Sequence, residues 1–136
     1  MDWTLEVVVL PVSDIDAAIA FYRDRVGFDL DHDTRTEHMH VAQLTPRGSG
    51  CSIVVGDLPA QREMAPGSIK GLQLVVADVA AAREELLARG FDPGEVQVVG
   101  KSPTPQPHEL DNVGFLFFND PDGNGWAVQQ ISARGR

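Results

Sequence analysis

The chain has 136 residues, 43% hydrophobic and 23% charged, the balance of one folded domain rather than of a disordered or fibrous chain. Its 20 acidic and 11 basic side chains give a net charge of −9, so neither nucleic acid nor an anionic membrane is expected as a partner. No apolar run approaches the roughly 20 residues of a membrane span, and the start Met1-Asp2-Trp3 does not have the form of a secretion signal. The lone cysteine, Cys51, excludes an internal disulfide framework and suits a reducing cytoplasm, the expected location.

Residues 5–12 form an apolar, β-branched run of strand length, and Asp14 follows where a helix N-cap belongs. Ile15, Ile19 and Tyr22 then recur at i, i+4 and i+7, with Phe21 and Val26 widening the stripe, and Gly27 is suited to a C-cap. Extended segments are expected over about 28–33, 38–44 and 51–55. Residues 59–68, with two prolines and a glycine, read as a linker. The same order restarts beyond it. Residues 72–77 are strand-like, Asp78 is placed as an N-cap, Val79, Ala82, Leu86 and Leu87 make a helical stripe, and Gly90 ends it. Extended segments follow over about 91–99, 113–119 and 126–131.

This is an internal repeat. Residues 8–25 laid over 72–89 match Leu10 with Leu74, Val12 with Val76, Asp14 with Asp78 and Arg25 with Arg89. After a one-residue gap, Gly27-Phe28-Asp29 meets Gly90-Phe91-Asp92, and the turn Pro46-Arg47-Gly48-Ser49-Gly50 meets Pro121-Asp122-Gly123-Asn124-Gly125. A single domain over 1–136 is expected, built of two βαβββ modules at about 4–58 and 69–132.

Inside that frame, Val12-Ser13-Asp14 leading into Phe21-Tyr22, and Phe118-Asn119-Asp120-Pro121-Asp122-Gly123-Asn124-Gly125-Trp126, carry a family resemblance. The chain resembles the vicinal oxygen chelate superfamily, the glyoxalase, bleomycin-resistance and extradiol dioxygenase group, over nearly its whole length. The resemblance implies an α+β fold whose two tandem modules form a curled, eight-stranded open cup with helices outside, and a homodimer. It does not fix the function, because this scaffold hosts lyases, isomerases, dioxygenases, transferases and drug binders.

Enzymes of the superfamily hold a divalent metal with His, Gln or Glu from the first and last strand of each module. Counted from the helix-opening aspartates and the turn prolines, those positions are Val7 and Gly71, Ser52 and Ala127. Three of these side chains have no donor atom and the serine hydroxyl is a weak one, so no metal and no other cofactor is expected. Glu6 neighbours Val7 but points to the opposite face of a strand. His38 and His40 share a face but lack a third ligand, and His32 reads as a surface residue. His108 lies in a proline-rich stretch, 101–112, beside Glu109 and Asp111. That stretch could form a lid in which His108 acts as acid or base, or an ordinary exposed loop.

Strand parity gives the expected lining of the cup. Val7 and Val9 (with Leu5) and Gln73 and Val75 (with Gly71) come from the first strands; Ser52, Val54, Ala127 and Gln129 come from the last. Phe115 and Phe117 join them by analogy with His40 and Ala42 in the first module. The result is a largely apolar pocket with a few neutral polar groups, suited to a flat hydrophobic ligand. The expected function is metal-free sequestration or carriage of a small hydrophobic or aromatic molecule, such as an antibiotic or natural product. The alternatives are a metal-independent isomerase, cyclase or lyase using Gln73, Gln129 or His108, and a metal-dependent lyase or dioxygenase with ligands elsewhere.

Overall fold

The computed structural model describes residues 1–134, and the fold is α+β. It contains two compact units: unit 1 is Met1–Ile69 with Asp120–Asn124, and unit 2 is Lys70–Asn119 with the chain from Gly125 onward.

Unit 1 runs β1 (Val7–Leu10), α1 (Ile15–Ala20), a π-helical segment (Phe21–Val26), β2 (Asp29–Arg35), β3 (His40–Thr45), β4 (Ser52–Gly56) and α2 (Pro59–Arg62). Its sheet has the order β1-β4-β3-β2, with β1 parallel to β4 and the other pairs antiparallel. Asp14 caps α1 as expected, its carboxylate accepting the Ala17 N–H at 3.0 Å. Gly27 ends the helix at φ 89°, a conformation that an L side chain would resist. The one-residue difference between the repeats is absorbed here. Asp14 to Gly27 is one residue longer than Asp78 to Gly90, and the extra residue widens Phe21–Val26 into a π-helix.

Ala18, Ile19, Phe21 and Tyr22 of that helix are buried, as are Leu10, Ala42, Leu44, Ile53 and Val55, which the strand register places on one face of the sheet. Arg35, on the same face, bonds Asp16 of α1, so this is the helix-covered side. Each large apolar side chain buried there contributes about 1.5–3 kcal/mol. The segment read as a linker contains α2. Its Gln61 is buried, donating to the carbonyls of Leu10 at 3.2 Å and Val54 at 2.9 Å while its own oxygen accepts the Leu58 N–H at 3.0 Å.

Unit 2 repeats the plan with β5 (Leu72–Val76), α3 (Val79–Ala88), β6 (Gln97–Val98), β7 (Gly114–Asn119), β8 (Gly125–Gln130) and a closing 3-10 turn at Ser132–Arg134. Its sheet order is β5-β8-β7-β6, with β5 parallel to β8. Asp78 caps α3 through the Ala81 N–H at 3.0 Å. Leu116, Phe118, Trp126, Val128 and Gln130 form the buried face, on which Phe118 stacks on Trp126 and meets Phe91 edge to face. Gln130 marks this face as the helix side, because its oxygen accepts the Val79 N–H at the start of α3. The strand expected over 91–99 shrinks to Gln97–Val98. Pro93 has no N–H to pair, and Gly94 turns at φ 87° with its N–H on the Asp92 carboxylate.

Candidate functional site

In each unit the expected site residues lie on the sheet face opposite the one that packs on α1 or α3. In unit 1 the register puts Val7, Val9, Ser52, Val54, Val41, Gln43 and Thr45 on this face. Ser52 and Val54 are buried and Val7 is 37% exposed. The Ser52 hydroxyl is occupied, 2.6 Å from Thr45 Oγ1 and accepting from the Gln43 amide at 3.1 Å. His40 and Ala42, used above as the analogues of Phe115 and Phe117, lie on the opposite, helix-covered face. The true counterparts are Gln43 and Thr45, because the β3–β4 connection, from Gln43 to its partner Val54, is three residues shorter than the β7–β8 connection, from Phe115 to Gln129, and an odd displacement from the simple overlay reverses the face.

In unit 2 the corresponding face carries Gln73 and Val75 from β5, Ala127 and Gln129 from β8, and Phe115 and Phe117 from β7. The rings of Phe115 and Phe117 stack at 5.5 Å with only 8° between their planes, and Phe117 is 41% exposed. The Gln73 amide donates to Gln129 Oε1 at 2.7 Å, and the Gln129 amide donates to the Asn112 carbonyl at 2.8 Å. At one end of this sheet a cavity of about 370 Å³ opens between Gly71, Phe117, Asn119, Gly125, Trp126 and Ala127.

The metal positions can be tested on this geometry. Val7 and Ser52 are register partners, but in unit 2 Ala127 faces Gln73 rather than Gly71. The link from β5 to Asp78 is Ala77 alone, whereas Pro11, Val12 and Ser13 separate β1 from Asp14, and counting from the aspartates therefore missed Gln73. One neutral carboxamide and one hydroxyl already engaged by two neighbours do not fit a divalent cation, which needs several imidazole, thiolate or carboxylate donors. Among the described residues no cluster of three His, Cys, Asp or Glu side chains could hold one.

The histidines do not converge. His38 precedes β3 and is fully out in solvent beside Glu37, while His40 bonds Asp33 at 2.8 Å on the helix side. His32 meets Gln43 Oε1 at 3.1 Å. Exposed His108 uses its Nδ1 to accept the Leu110 N–H at 3.0 Å, which shapes a local turn. Cys51 is a free, half-buried thiol just before β4.

Asp111, at the end of the 101–112 stretch, is the anchor there. Its carboxyl group is held down to a pKa of about 2, first by the Ser132 hydroxyl at 2.5 Å, then against burial by the N–H groups of Ser132 and His108 and the Gln130 amide. A folded pKa below the unfolded one stabilises at pH values above roughly 4, and that contribution is lost as pH falls toward 2. Asp111→Asn should therefore flatten the fall in stability between those values, as followed by urea midpoints across the acid range. Identical acid profiles for the two proteins would refute this role.

The nine-residue motif behind the resemblance serves the fold rather than the chemistry. Asp120 is buried, and one carboxylate oxygen accepts the N–H groups of Asp122, Gly123 and Asn124 at 2.9–3.0 Å. The other accepts the Tyr22 hydroxyl and the Asn124 amide, each at 2.8 Å. Asn124, fully buried, also donates to the Pro11 carbonyl and accepts the Ile69 N–H, while Asp122 takes both the N–H and the hydroxyl of Ser13. Asp120, Asp122 and Asn124 of this motif thus meet Ser13 and Tyr22 of the other inside unit 1.

Residues 4–128 match the family model of the Glyoxalase/Bleomycin resistance protein/Dioxygenase superfamily. The chain belongs to this superfamily. Among solved structures it is similar to TnmS3, an antibiotic binding protein from Streptomyces sp. CB03234, at 36% identity over 96% of this chain and 98% of that one, with a TM-score of 0.69. A glyoxalase/bleomycin resistance protein from the same Streptomyces strain also shares 36% identity, covering 93% of this chain and all (100%) of its own, with a TM-score of 0.66. A superfamily member from Sphaerobacter thermophilus DSM 20745 shares the fold at 24% identity, with 96% and 98% coverage and a TM-score of 0.68. No curated protein matches the chain.

Proposed function

We propose that this superfamily member binds a small hydrophobic or aromatic molecule, such as an antibiotic or natural product, and sequesters or carries it without a metal ion. The observation that carries the reading is the face of the unit 2 sheet opposite α3. Two stacked phenylalanines, a valine and an alanine lie around a pair of neutral amides, with no ionisable group among these six residues. Such a surface gains by covering apolar area and offers few polar contacts to orient a ligand. Val7, Val9, Ser52 and Val54 are its counterpart in unit 1. The likeness to an antibiotic binding protein over nearly the full length supports the same reading. A homodimer working in the cytoplasm belongs to the proposal.

Calorimetric titration with a panel of neutral aromatic antibiotics tests it. The expected result is saturable binding, equal in EDTA and in added Zn²⁺, Ni²⁺, Fe²⁺ or Mn²⁺, with the ligand recovered unchanged. Stoichiometric metal in the purified protein, or conversion of the bound compound, would overturn it.

A further inference from the structure

We infer that Gln73 and Gln129 act together as the specificity-determining pair of this face, selecting an uncharged aromatic ligand whose edge carries a hydrogen-bond donor beside an acceptor. The inference rests on the binding function proposed above and names the chemistry of the ligand.

The orientation of the pair is fixed from one end. The Asn112 carbonyl can only accept, so Gln129 must turn its Nε2 toward it, at 2.8 Å. Gln129 Oε1 is thereby directed at Gln73, which must answer with its own Nε2, at 2.7 Å. The backbone group that starts this relay is itself set: Asn112 adopts φ 69°, donates its N–H to the Gln130 carbonyl at 2.8 Å, and ties its side chain to Ser102 at 3.3 Å. Neither amide is free to flip without breaking a bond.

This leaves a defined remainder. Among the described residues, Gln73 Oε1 and the second N–H of each amide carry no hydrogen bond, and Gln73 is exposed. One vacant acceptor beside vacant donors is complementary to a lactam, or to a phenol next to a carbonyl. A carboxylate would meet only the donors and leave Gln73 Oε1 facing negative charge, in a chain that already carries −9. Phe115 is the direct register partner of Gln129, and Phe117 the partner of Ala127, so the aromatic platform adjoins the amides on the neighbouring strand. A flat ring lying on the phenylalanines presents its edge to the amides. Because the pair is already oriented, little ordering cost opposes the contact.

The test uses the full chain and three probes of nearly equal shape: phenanthridinone, its N-methyl derivative, and phenanthrene. Wild-type protein should bind phenanthridinone about five- to tenfold more tightly than the N-methyl compound, the worth of one hydrogen bond. In the double variant Gln73→Met/Gln129→Leu, which leaves neither glutamine amide on this face, that ratio should collapse toward one while phenanthrene still binds. Gln73→Met alone keeps the Gln129–Asn112 bond and frees Gln129 Oε1 as an acceptor, so it should lower the ratio only in part. Equal wild-type affinity for the two lactams, or a ratio that survives both substitutions, overturns the inference and leaves the binding function standing if phenanthrene still binds. Failure of all three probes to bind wild-type protein overturns both.

Discussion

Replacing Asp120 with alanine is expected to lower the stability of unit 1 by about 3–5 kcal/mol, the largest effect of any single polar substitution described here. The buried carboxylate accepts five hydrogen bonds, three from the backbone of its own turn, one from Tyr22 and one from Asn124. Removing it leaves those donors facing a cavity, and each buried donor without an acceptor costs about 1–3 kcal/mol where water does not reach it. Asp120→Asn keeps the volume but puts an N–H₂ group where both carboxylate oxygens now accept, so it should recover only part of the loss. Tyr22→Phe removes one donor and should cost about 1–2 kcal/mol, and combined with Asp120→Asn it should show coupling because both act on one bond. Ser13→Ala, which removes an exposed hydroxyl that donates to the Asp122 carboxylate, should cost under about 1 kcal/mol. Urea unfolding at neutral pH reads the four single variants and the double one. A loss below about 1 kcal/mol for Asp120→Ala would show that the turn holds without its central acceptor.

The second large effect belongs to binding. Phe115→Ala and Phe117→Ala should each weaken an aromatic ligand by about 10- to 100-fold, since each removes the apolar contact of one ring, worth about 1.5–3 kcal/mol when covered. Phe117 is the sharper test. At 41% exposure it contributes little to folding, so affinity should fall with only a small shift in the urea midpoint. Phe118→Ala provides the contrast. That ring is buried on the other face between Phe91 and Trp126, and its loss should cost about 3–5 kcal/mol of stability. Affinity unchanged within about twofold in both Phe115→Ala and Phe117→Ala would remove this face from the site.

Local signals were legible wherever they depended on neighbours in the chain. Asp14 and Asp78 cap their helices, Gly27 and Gly90 end them in the left-handed conformation, and the alternation along β5, β7 and β8 sorted Gln73, Val75, Phe115, Phe117, Ala127 and Gln129 onto one face. Alternation failed along β3, where His40 and Ala42 went to the wrong side, because the overlay was out by three residues and any odd shift inverts every side chain of a strand. It also read 91–99 as extended, although with Pro93 and Gly94 in the segment the strand is confined to Gln97–Val98.

The amino-acid order by itself determined the duplicated βαβββ plan and the helix ends, since these follow from spacing, conformational preference and side-chain chemistry. Tertiary structure alone decided that Gln73 stands opposite Ala127, that Gln129 orients it from Asn112, and that Asp120 is spent on Tyr22, 98 residues away. Register and hydrogen-bond partnership are settled by groups brought together from distant parts of the chain. The donors that complete a buried carboxylate or aim an amide leave no periodic trace around the residue they serve.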